Sequence, residues 1–257
     1  MVSFVLARKA YLQNRQYRTG HAIRMAGSVI IGMIYISLWA RIGNGKPLGE
    51  YGLNGMVSYI AFNQSCIWLL ITTFGLGLEE AVRTGQIALD LLRPLNLFVH
   101  MVSREAGRTV YFFLYCCIPI YTVYALFIPI RQPERPETWL WTAIALIGTA
   151  YISICISYMI GITALWTTES RFLHYLHHAL NTLLSGFLIP VEWMPSWLQA
   201  VSRCSPYPFL QYHPTRIYME MEDPHMLIGS IGWSAGLTAV CYLLTRIVRN
   251  KVEVQGG

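Results

Sequence analysis

The chain is 257 residues long, 54% hydrophobic and only 12% charged, with a mean hydropathy of +0.43. A soluble domain carries about 25% charged residues, so these values exclude one and predict a membrane protein. The net charge of +6 would suit nucleic acid, but the placement of the charges excludes that use.

The N-terminal segment SFVLARKAYLQNRQYR mixes Phe4, Val5, Leu6, Tyr11 and Leu12 with four basic residues. It predicts an amphipathic helix lying on the inner leaflet, in contact with membrane lipid. No small-residue cleavage site follows the first apolar run, so no signal peptide is expected and that run should stay. Six uncharged runs predict membrane spans: Met25 to Ile42, Met56 to Leu78, Val110 to Ile130, Leu140 to Trp166, Leu173 to Ile189 and Met226 to Thr245. Each is long enough to cross a hydrocarbon core about 30 Å thick. Unpaired amides cost several kcal/mol in lipid, so the spans must be helices and the fold class is all-α, one transmembrane domain over residues 1–257.

Between the first two runs, GNGKP (Gly43 to Pro47) resembles part of a phosphate loop, but it lacks the GxxxxGK[ST] spacing and no hydroxyl residue follows Lys46. The chain has no route of its own to ATP. After the second run comes EEAVRTGQIALDLLRPLN, Glu79 to Asn96, a charged helix-forming stretch. Projected at 100° per residue, Leu78, Ala81, Val82, Gly85, Ala88, Leu89 and Leu92 share one face, and Glu79, Arg83, Gln86 and Asp90 fall opposite. Ile87 and Leu91, one turn apart, project among Arg83, Gln86 and Asp90. Two readings stand: a surface helix joining two spans, or a helix offering Ile87 and Leu91 to a groove in another protein. Gly85 can break or start the helix, and Pro94, which also restricts Arg93, ends it.

HYLHH at the start of the fifth run places His174, His177 and His178 at HxxHH spacing. A di-iron site of that type needs about eight imidazoles, and the chain has seven His, four of them scattered; interfacial histidines are the expected reading and no metal is expected. Of the six cysteines, Cys66, Cys116, Cys117, Cys155 and Cys241 fall in apolar runs, which is no disulfide or zinc framework. The segment from Pro190 to His225 holds Pro195, Pro206, Pro208, Pro214 and Pro224 among many aromatics. The prolines exclude a continuous helix; the aromatics belong at an interface. A short helix starts at Pro195, with Trp197, Leu198 and Val201 on its apolar side. The segment either dips into the outer leaflet or lies on the headgroups.

With both termini inside, the inner segments hold 13 Lys and Arg against 6 Asp and Glu, and the outer loops 6 against 7. The positive excess sits on one face, as orientation in a membrane requires. No Asp, Glu, Lys or Arg occupies the middle of any run, so an ion gradient has little to act on. No GxSxG or HExxH occurs, which leaves no catalytic constellation and no catalytic residue.

The string VRTGQIALDLLRPLN is similar to the coupling helix of the type-2 integral-membrane permease subunits of bacterial ATP-binding-cassette (ABC) exporters. SGFLIPVEWMPSWLQAVSRCSPYPFLQYHPTRIYM, Ser185 to Met219, resembles that family's stretch after its fifth span. The resemblance implies a non-catalytic exporter subunit of the cytoplasmic (inner) membrane, with ATP and Mg on a separate cytoplasmic ATPase and a second permease, identical or related, completing a dimer. It implies ATPase coupling at Arg83, Gly85, Gln86, Ile87, Asp90, Leu91, Leu92, Arg93 and Pro94. The polar minority of the second and fifth spans, Asn63, Gln64 and Thr72 with Asn181, Thr182 and Ser185, either lines a path beside Trp68 or serves as interhelical glue. An outer gate is expected at Gly186, Phe187, Pro190, Trp193 and Pro195. An amphiphilic or hydrophobic cargo suits such a path. A membrane scaffold or immunity protein that binds a partner without transporting is the alternative.

Overall fold

The computed structural model describes residues 2–16, 18–43, 48–70, 74–92, 95–167 and 169–255; Thr72, Arg93, Pro94 and the GNGKP residues from Asn44 to Pro47 lie outside them. Among the described residues the chain is helical, with no strand. Four helical stretches among the described residues are long and apolar enough to cross a membrane: Thr19–Ile42, Leu97–Phe127, Pro136–Thr167 and Pro224–Arg249.

Helix α1 (Val2–Gln16) precedes α2 (Arg18–Ile42), which contains the first expected span. The second expected span is not one helix. α3 (Gly52–Cys66) runs 15 residues and gives way to 3-10 turns at Ile67–Leu69 and Phe74–Gly77. At about 1.5 Å per residue α3 is some 22 Å long, short of a full hydrocarbon core. Leu76, at a φ of 57°, and Gly77, at 78°, are left-handed, a conformation no helix continues through. Such irregular backbone is tolerated at membrane depth where protein covers it, and Leu69, Leu76 and Leu78 are buried.

Two short helices follow, α4 (Leu78–Arg83) and α5 (Gln86–Leu91). The third expected span starts 13 residues earlier than the charge pattern indicates. Asn96 caps α6 (Leu97–Phe112) by accepting from the Phe98 amide at 2.9 Å. Arg104, Glu105 and Arg108 therefore sit inside a helix, where Arg108 pairs with Glu105 at 3.0 Å. A π turn, Phe113–Cys117, links α6 to α7 (Ile118–Phe127). Pro119 supplies the reason, since its missing amide frees a carbonyl one turn back.

Next come α8 (Pro136–Ile162), α9 (Ala164–Thr167) and α10 (Arg171–Leu184). The fifth expected span is thus a 14-residue helix, ended where Gly186 turns left-handed at 76°. Beyond it lie a 3-10 turn at Val191–Trp193, α11 (Ser196–Arg203), a second at Tyr207–Leu210 and α12 (Tyr212–Tyr218). A turn at Pro224–Met226 leads into α13 (Leu227–Gln255).

Helix α8 is central. Tyr151 and Tyr158 meet Thr238 and Thr245 of α13, each at 2.6 Å. One apolar core joins α3 to Tyr111, Ile120 and Tyr124, and a second joins Leu78, Ile87 and Phe98 to α8 and α13. The contacts sort the connections onto two faces. α1, α4, α5 and the α9–α10 junction share the face that holds both ends of the described chain. The loops before α3 and α8, and the segment after α10, share the opposite face.

Candidate functional site

Between α2, the end of α3, α8 and α10 lies an open cavity of about 720 Å³. Two helical stripes form most of its wall. Arg24, Ser28, Ile31 and Tyr35 recur at helical spacing along α2, and His174, His177, His178, Asn181 and Thr182 recur likewise along α10. Gln64, Trp68, Ser153, Ser157, Phe187 and Gln211 complete it. A volume of this size suits a small organic ligand.

The expected path residues separate into two groups. Gln64, Trp68, Asn181 and Thr182 line the cavity. Asn63 and Ser185 do not; both are fully buried ties. Asn63 donates to the Phe187 carbonyl at 3.2 Å and accepts from Thr215 at 2.5 Å. Ser185 donates to Gln211 at 3.3 Å. Asn63 and Ser185 are thus interhelical ties, and Gln64, which also donates to the Ser28 carbonyl at 3.2 Å, stands with Trp68, Asn181 and Thr182 on a cavity wall.

Of the expected gate residues Phe187 lines the cavity, and the others lie in the segment after α10. The Tyr59 hydroxyl donates to the Gly186 carbonyl. Phe187 is buried against the edge of Tyr35, Pro190 is buried, and Trp193 packs between Trp39 and Tyr51. Pro195 precedes α11 as expected, but the apolar side of that helix needs correction. Leu198 is buried, whereas Trp197 and Val201 are exposed, because Ser202 rather than Val201 turns inward and donates to the Leu184 carbonyl at 2.7 Å. The following turn goes deep: Thr149, at the middle of α8, donates to the Phe209 carbonyl at 3.0 Å.

At the other end stands the segment of α4 and α5. Gly85, at a φ of 74°, is the predicted break. Its left-handed turn resets the helical phase, and this overturns the projected face. Ile87 is 7% exposed and belongs to the core, Asp90 is buried and Leu91 is half-buried against the same core. Leu89 and Leu92 stand out instead, at 58% and 81%, beside exposed Arg83 and Gln86.

Polar contacts tie this segment and the turn before it to the body. Arg104 of α6 donates to the carbonyl of left-handed Leu76. Glu79 of α4 accepts from the amide of Ser170 at 3.1 Å and from its hydroxyl at 2.9 Å, with Arg171 at 3.9 Å. Ser170 is the N-cap of α10 and makes no cap bond of its own; Glu79 caps that helix from outside, where a carboxylate is favoured. The Ser170 amide holds the Glu79 carboxyl below its ordinary range.

The model of the ABC-2 family transporter proteins matches residues 28–254. The chain belongs to this family. The match takes in α4, α5, the segment beyond α10 and the cavity lining other than Arg24 and Gly27, and it makes this ABC-2 protein a multi-pass membrane component of an ABC transporter. A search of curated proteins found no significant match.

Several residues of this ABC-2 protein that shape the site escape sequence reasoning. Glu79 and Ser170 lie 91 positions apart, and nothing local joins them. Ser28, Gln211 and Arg24 reach the cavity only through tertiary folding. Ser153 and Ser157, one turn apart in an apolar run, did carry a usable sign, a polar stripe on one helix face.

Proposed function

We propose that this ABC-2 protein is the permease subunit of an ATP-driven exporter in the cytoplasmic membrane. It works as a dimer with an identical or related permease, bound to cytoplasmic ATPase subunits that hold ATP and Mg. The face carrying α1, α4 and α5 is cytoplasmic on this reading, in agreement with the basic excess of its segments. The cargo is amphiphilic or hydrophobic and passes outward by way of the cavity, and the segment between Pro190 and His225 dips into the outer leaflet as the outer gate.

The observation that carries this reading is the Glu79 tie. α4 and α5 present Leu89 and Leu92 outward and, through one carboxylate, hold the first turn of the helix that lines the cavity. A force applied by an ATPase at Leu89 and Leu92 therefore reaches α10 directly. α1 supports the same face. It packs on α6 so closely that a side chain at Gly107 would collide with Ala7, and it leaves Phe4 and Val5 exposed for the inner leaflet.

The test is co-expression with an ABC ATPase, co-purification, and ATP-dependent movement of labelled amphiphile across vesicles. Leu89→Glu with Leu92→Glu should abolish co-purification while the chain still inserts. Retained co-purification, or vesicles that move solute on a proton gradient without ATP, would overturn the reading.

A further inference from the structure

The cavity wall holds an unusual set of polar atoms. Gln64, Trp68 and Gln211 are 3%, 5% and 2% exposed, and Asn181 is half-buried. Each carries one atom shielded from solvent with no hydrogen-bond partner: Gln64 Oε1, Trp68 Nε1, Asn181 Oδ1 and Gln211 Nε2. The amide orientation of Gln64 is fixed by its other atom, because Nε2 donates to the Ser28 carbonyl at 3.2 Å. Native proteins rarely leave such atoms unpaired, and each unpaired one calls for an explanation. Here four of them share one cavity wall.

The charges of the lining are one-sided. Among the described residues of the lining, Arg24 of α2 is the one Lys or Arg, three histidines stand on α10, and no Asp or Glu is present. α2 and α10 both run from the face of the chain ends towards the opposite face, so Arg24 and His174 mark one end and Tyr35 and Phe187 the other. In between stand the amides, the indole and the hydroxyls of Ser28, Ser153 and Thr182.

We infer that this cavity binds an amphiphile whose head is oxygen-rich and neutral or anionic, never cationic. The head offers both donors and acceptors, such as hydroxyl and carbonyl groups, to pair Gln64 and Asn181 with donors and Trp68 and Gln211 with acceptors. On this inference, binding turns these side chains so that the shielded atoms meet the head. The apolar part of the ligand extends towards Tyr35 and Phe187. This deepens the exporter reading, on which it rests, by naming the class of cargo.

The experiment uses the full chain, co-purified with its ATPase in nanodiscs, and three probes that share one apolar chain: 1-monooleoylglycerol, oleate and oleyltrimethylammonium. Ligand-dependent thermal stabilisation reads the binding. The first two probes should stabilise the protein saturably and the cation should not. Trp68→Phe, which removes one donor at nearly constant shape, and Asn181→Leu should each weaken binding of 1-monooleoylglycerol about tenfold. Equal stabilisation by the cation, or unchanged affinity in both variants, overturns the inference. It also falls if the variants break the permease dimer on gel filtration, because the unpaired atoms then belong to a subunit contact. Binding that persists without ATP-driven transport in vesicles overturns the exporter reading alone, whereas transport of 1-monooleoylglycerol that both variants leave intact overturns the cavity assignment alone.

Discussion

The two faces of the molecule are held in different ways. On the face away from the chain ends, Arg216 binds Glu192 at 2.7 Å, Tyr51 at 3.1 Å and the Met221 carbonyl at 3.0 Å. Tyr51 donates to the same Glu192 at 2.6 Å, and Gln199 donates to the Glu192 carbonyl at 2.9 Å. Glu220 accepts from the Arg135 amide and from Thr138, capping α8. The Tyr218 hydroxyl donates to the Arg131 carbonyl at 3.0 Å, and the Arg131 amide donates to Ser58 at 2.8 Å. On the face of the chain ends, Arg104 and Glu79 make polar contacts to the segment of α4 and α5, and Leu78, Ala81, Val82, Ile87 and Leu91 pack it on the core. Mutually dependent bonds among Arg216, Glu192 and Tyr51 make one end a frame, and at the other the Glu79 carboxylate links α4 to the start of α10.

The comparison is broken most severely at Arg216. Arg216→Ala leaves Glu192 largely buried without its cation and should cost about 3 kcal/mol, seen as a fall in the melting temperature of the purified protein. A melting temperature unchanged within error would mean that the far face is no frame.

Glu79→Gln should do less to stability and more to mechanism. The variant keeps its size and one acceptor but loses the charge that caps α10. Transport should fall roughly tenfold while co-purification with the ATPase persists, in keeping with one charge-assisted hydrogen bond of about 1.5 kcal/mol. Equal losses of both would mark Glu79 as part of the docking surface rather than the link.

The smallest expected effect is on pH. Hydrogen bonding lowers the Glu79 pKa in the folded state, so its hold on α10 is fully present above the ordinary value of 4.5. That hold is lost as pH falls through the lower folded value. Hydrogen exchange at the first turn of α10 should stay flat from pH 8 to 5 and rise only in stronger acid. A rise between pH 8 and 6 would point to a neighbouring histidine instead.

The sequence alone determined that the chain lies in a membrane, that it is helical and which segments share a face, because these follow from hydropathy and charge placement. It also located the break at Gly85 and the short helix after Pro195, since glycine and proline act on the backbone locally. Tertiary structure decided the rest. An uncharged run fixes where chain can be buried but not whether it is one helix, so α3 and α10 end early while their neighbours cover the irregular backbone. The phase of a helix beyond a left-handed residue is set by what it packs against, which buried Ile87 and exposed Leu89. The cavity, and the reach of Glu79 to Ser170, join residues distant in the chain, and no local periodicity encodes such a meeting.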